Sequence, residues 1–79
     1  MNNPLILVKL VHIGTLIRKT LKSKHKTVVW FANELSCSRT NVYKIFSKQS
    51  IDTFDLLRIS KILEYDFFEV YSQELKTKK

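Results

Sequence analysis

The sequence predicts an all-α fold, and three observations carry that prediction. One Gly and one Pro in 79 residues leave little material for the tight turns that an all-β chain needs. Leu and Lys, which keep most of their side-chain freedom in a helix, are plentiful. Apolar residues also recur at three- and four-residue spacing, the period that places them on one face of a helix. The length allows one small domain, which buries roughly 60 to 65% of the surface its unfolded chain exposes.

The first helix is predicted over about 13–23, where Ile13, Leu16, Ile17 and Leu21 follow the helical period and Arg18, Lys19 and Lys22 occupy the other side. The polar "KSKHK" stretch links it to a second helix over about 28–35, with Thr27 as N-cap and Phe31, Ala32 and Leu35 turned inward. "SCS" then breaks the pattern. Ser38 is the N-cap of a third helix over about 39–46, whose inner side is Val42, Ile45 and Phe46. So short a link makes the second and third helices cross steeply. After "SKQS", Asp52 or Thr53 caps a fourth helix carrying Leu56, Leu57, Ile59, Ile62 and Leu63, with Asp52 and Asp55 placed well for the helix dipole. A fifth, over about 67–75, supplies Phe67, Phe68, Tyr71 and Leu75. The aromatic group Tyr65, Phe67, Phe68 and Tyr71 is assigned to the core, and the basic tail 76–79 is expected to fray. Residues 1–11, with the run "PLILVKLV", either cover the core, contact a second chain or form a disordered leader.

Composition excludes several classes. Cys37 is the only cysteine, so no internal disulfide exists, and His12 and His25 do not form a metal-ligand pattern. No Gly-rich phosphate loop and no Ser, His and acid set is present, so the expectation is not an enzyme, with no metal and no cofactor. The apolar stretch 4–17 contains Lys9 and His12 and falls short of the roughly 20 residues that span a bilayer. Without a secretory signal pattern the expected location is the cytoplasm, with no membrane partner. Charge is the informative quantity. Of the net +7, residues 1–48 hold nine basic groups against Glu34 alone, whereas residues 49–79 hold five basic and six acidic groups. Charge segregated in this way costs self-repulsion and suits a face that binds a polyanion.

Residues 28–47 resemble the helix-turn-helix of the phage repressor and Cro family, the lambda-repressor-like or XRE type. Phe31, Leu35, Cys37, Val42 and Ile45 fall on that pattern's buried positions, and Ala32 on the position where a small residue lets the two helices approach. "SIDTFDLLRISKIL" (50–63) is similar to the family's fourth helix, so the resemblance covers about 12–75. Three positions depart from it: Ser36 stands where the turn Gly is usual, Lys48 near the Gly that commonly follows the third helix, and Ser60 where Ala is common. The first has a structural consequence, because that turn position often has positive φ, where a residue with a Cβ is strained. The resemblance implies a compact five-helix DNA-binding domain with its helix-turn-helix at the second and third helices, acting as a transcriptional regulator. It also implies dimers on two-fold operators, although the sequence does not identify a dimer surface.

Under that resemblance the third helix enters the major groove, and Arg39, Thr40, Asn41 and Lys44 are the residues placed to read bases. Arg39 can pair bidentately with guanine, Thr40 can lay its methyl on thymine, Asn41 can bridge adenine or reach phosphate, and Lys44 can do either job. Phosphate contacts fall to the helix N-termini at Thr27 and Ser38 and to Tyr43, Lys48, Lys24 and Lys26. Plainer readings stand beside these. Arg39 and Lys44 are otherwise solvated charges, Asn41 a reinforcement of the cap, and Tyr43 a brace for its helix. Trp30 is either a partner contact or folded onto the first helix, and Cys37 is a small buried hydrophobe. The competing function is a protein-interaction module, an antitoxin-like partner built on the same bundle.

Overall fold

Helices in this chain begin where a short polar side chain takes over an amide that the helix itself leaves unpaired. Thr27 Oγ1 accepts the Trp30 amide at 3.0 Å, Ser38 Oγ the Asn41 amide at 3.2 Å and Asp52 Oδ1 the Asp55 amide at 2.8 Å. Two more caps were not evident from the sequence: His12 Nδ1 accepts from the Thr15 amide at 3.2 Å, and Asp66 Oδ1 accepts from the amides of Phe68 and Glu69. The structure, a computed structural model, describes residues 11–76. These residues form five helices and no strand: α1 (Ile13–Ser23), α2 (Val28–Leu35), α3 (Arg39–Phe46), α4 (Thr53–Leu63) and α5 (Phe68–Lys76). Residues 1–10 and most of the basic tail lie outside the described residues, and the expectations for them go with them.

The core is one cluster. Ile13, Ile17 and Leu21 of α1 meet Phe31, Ala32 and Leu35 of α2, Val42 and Phe46 of α3, Leu56, Ile59 and Leu63 of α4, and Phe67 from the link that follows. Four of the six motif positions are buried. Cys37 and Ile45 are half-buried and pack on the cluster's edge, as does Trp30.

The aromatic group predicted for the core is not one. Phe67 is fully buried and meets Tyr65 edge-on at 4.7 Å, but Tyr65, Phe68 and Tyr71 are exposed and Leu75 is 82% exposed. α5 begins one residue later than predicted, at Phe68, and buries none of its own side chains. Leu57 of α4 is exposed as well. Helical spacing puts Phe68, Tyr71 and Leu75 on one face of α5, but that face leaves all three exposed, Leu75 most of all.

The helix ends explain how the chain manages with a single Gly. Ser36, at φ 57 and ψ 45, adopts the left-handed conformation expected of the turn position it fills. Its amide donates to Asn33 O and the Cys37 amide to Ala32 O, at 3.1 and 2.9 Å. This crossed pair of bonds closes a Schellman motif. His25 (φ 59) and Glu64 (φ 52) end α1 and α4 in the same way. Gly14 serves a different purpose. A Cβ built there would lie 2.6 Å from the Phe46 carbonyl carbon and closer still to the carbonyl oxygens of Ile45 and Phe46. α1 therefore meets the end of α3 backbone to backbone, and the Ile13 and Gly14 amides donate to Gln49 O and Lys48 O at 3.0 and 2.9 Å.

Candidate nucleic-acid interface

α3 sorts its side chains by the helical period. Val42 and Phe46 are buried and Ile45 is half-buried, whereas Arg39, Thr40, Asn41, Tyr43, Lys44 and Ser47 are all exposed. With about 100° between successive residues, Thr40, Lys44 and Ser47 form an outer ridge with a flank on each side. One flank carries Arg39, Tyr43 and Phe46, the other Asn41, Ile45 and Lys48. The four residues assigned to base reading are thus brought together on one solvent-facing helix. At its start the amides of Arg39 and Thr40 precede the first intrahelical acceptor, and no acid occupies the first turn.

The flank bearing Phe46 faces α1. The Arg18 guanidinium lies over the Phe46 ring, 5.8 Å from its centroid, and Tyr43 meets the same ring edge-on at 6.0 Å. The opposite flank faces α4 across a cleft of about 190 Å³, with Asn41, Lys44, Ile45 and Lys48 on one wall and Asp55, Arg58 and Ile59 on the other. Asp55 is the acid in the lining of this cleft, and it pairs with Arg58 at 3.6 Å. Both partners are about half exposed, so the pair contributes about 1 kcal/mol or less. Arg58 also donates to Leu35 O at 3.0 Å, which closes the C-terminus of α2 from outside.

The residues assigned to phosphate separate into two groups. Thr27, Ser38, Tyr43 and Lys48 are exposed, with Tyr43 and Lys48 beside the ridge. Lys24 and Lys26 have internal neighbours instead. The Lys24 ammonium donates to Glu64 O at 3.0 Å, tying the α1–α2 link to the end of α4, and Lys26 sits 4.9 Å over the Trp30 ring. Arg18, whose guanidinium has the Phe46 ring as its neighbour, and Lys19, Lys22, Arg39, Lys44 and Lys48 have no carboxylate partner among the described residues. Sequence reasoning missed Arg18, and the available signal was Gly14, a lone glycine inside a helical pattern and one turn before it.

No three or more His, Cys, Asp or Glu among the described residues are grouped to hold a metal ion, and no helix there is long and apolar enough to cross a membrane. Comparison with protein-family models, curated proteins and solved structures returns no match to this chain.

Proposed function

We propose that this chain is a sequence-specific double-stranded DNA-binding protein of the lambda-repressor-like helix-turn-helix type, a transcriptional regulator that places α3 in the major groove. The observation that carries the proposal is the α3 ridge: Arg39, Thr40, Asn41 and Lys44 exposed on an eight-residue helix whose opposite side is buried. Support comes also from the three-residue link between α2 and α3, the left-handed Ser36 at its start and the unpaired cations on both sides of the ridge. In this mechanism the Ser38 cap and first amides of α3 meet phosphate, Arg39 pairs with a guanine edge, and Thr40, Asn41 and Lys44 read neighbouring positions.

A selection of bound duplexes from a random pool, followed by titration of wild type and Arg39→Ala on the selected sequence, tests it. The variant is expected to lose about 1 to 3 kcal/mol of discrimination at one base position. Unchanged preference removes Arg39 from base reading; a wild-type chain that selects no sequence removes the regulator function.

A second reading, contact with another protein, is favoured by Phe68, Tyr71 and Leu75, which share one exposed face of α5. It is compatible with the first if the partner is a second copy bound to a two-fold operator. Sedimentation with and without the selected duplex separates a dimer from a lone chain.

A further inference from the structure

We propose that α1 forms a second DNA-contacting edge: Arg18, held on the Phe46 ring, and Lys22 one turn further on bind phosphates of the strand bordering the groove that α3 enters. The inference rests on the DNA-binding proposal above and assigns to α1 a contact that the helix-turn-helix itself does not contain.

The position follows from how α1 meets α3. Gly14 lets the first turn of α1 press against the Ile45 and Phe46 carbonyls, so the side of α1 that carries Gly14 is the side facing α3. Arg18 is four residues on, which places it one turn along that same side, and Lys22 repeats the step. Ile13, Ile17 and Leu21 are buried beneath them, while Arg18 and Lys22 are exposed. Arg18 therefore borders the flank of α3 that carries Tyr43 and Phe46, and Lys22 lies one turn further along α1.

Orientation adds to position. A guanidinium over an aromatic face is held by attraction to the ring, and its in-plane N–H donors remain free for an anion. Phe46 belongs to α3, so the contact draws Arg18 toward the reading helix itself, and Tyr43 meets the same ring edge-on from the exposed side of α3. Lys24 and Lys26 lack this placement, since one donates to Glu64 O and the other faces a ring of α2. A side chain already ordered in the free protein loses less freedom on binding. The occupant is duplex DNA because neither α1 nor α3 contains an acidic residue while both carry cations, and two phosphate strands flank any groove that a helix enters.

The test is fluorescence-anisotropy titration of wild type, Arg18→Gln and Arg39→Ala across a NaCl series, on the selected duplex and on a shuffled duplex of equal length. Arg18→Gln is expected to lower the slope of log affinity against log salt by about 1 and to weaken both duplexes by the same factor. Arg18→Lys, which keeps the charge, should retain most of the slope. Circular dichroism checks the fold; should Arg18→Gln unfold, Lys22→Gln gives the same readout from a side chain that is exposed and unpaired among the described residues. An unchanged slope in the folded variant, with selectivity lost in Arg39→Ala, overturns the α1 contact and leaves the DNA-binding proposal standing. Absence of salt-dependent binding by wild type on both duplexes overturns the two together.

Discussion

Ser36, His25 and Glu64 carry side chains through backbone angles where glycine is at ease, at φ between 52 and 59. A left-handed residue with a Cβ costs roughly 1 to 2 kcal/mol, partly offset because glycine would enlarge the freedom of the unfolded chain. Ser36→Gly is therefore expected to stabilise the domain by about 0.5 to 1 kcal/mol, read as a higher urea midpoint at unchanged slope. Gly14 should answer in the opposite sense. Alanine is the better helix former by about 1 kcal/mol, yet its methyl would press on the carbonyls of Ile45 and Phe46, which are backbone atoms unable to rotate away. Overpacking of this kind costs about 1 to 3 kcal/mol or more, so Gly14→Ala is expected to lower the midpoint. A raised midpoint would mean that α1 and α3 can move apart without loss. The one glycine thus serves close approach, and the left-handed turns are left to residues that bear some strain.

At the scale of the helix, α1 to α4 were legible in the sequence because each carries a buried stripe at helical spacing, and α2, α3 and α4 also start at a Thr, Ser or Asp that caps them. α5 was legible as a helix and illegible as a packing unit. Phe68, Tyr71 and Leu75 have the spacing of a core face, but periodicity states which residues share a side and says nothing about whether another element covers that side. The same limit applied to the cations. Exposure of Arg39, Thr40, Asn41 and Lys44 follows from the helical period, whereas the partners of Lys24 and Arg58 lie 40 and 23 residues away in the chain. Contacts of that separation leave no local pattern. Energetically α5 is tied down by the residue before it, the fully buried Phe67. Phe67→Ala is expected to cost about 3 to 5 kcal/mol, a large part of what a domain this small possesses. Leu75→Ala should shift stability by about 0.5 kcal/mol or less, both read by thermal melts at concentrations where the chain is monomeric. Comparable losses would show that the α5 face is buried in solution.

For the molecule as a whole, one uneven distribution of charge should set two salt dependences of opposite sign. Arg18, Lys19, Lys22, Arg39, Lys44 and Lys48 sit on α1, α3 and the turn after α3 without a carboxylate partner among the described residues, so folding gathers like charges. Salt screens that repulsion over distances of about 10 Å at 0.1 M, and the free protein should melt at a higher temperature as NaCl rises through that range. Binding of duplex DNA draws its free energy from the same cations, through release of counterions, and must weaken over the same range. The stabilisation conferred by a fixed excess of duplex, which grows as the logarithm of ligand concentration over Kd, should therefore shrink as the free protein's own melting temperature climbs. The two melting curves, with and without DNA, are expected to converge with salt. A free-protein melting temperature that falls with salt would show that attractive pairs outweigh the repulsion. Curves that stay parallel would show that the duplex is held by something other than these cations.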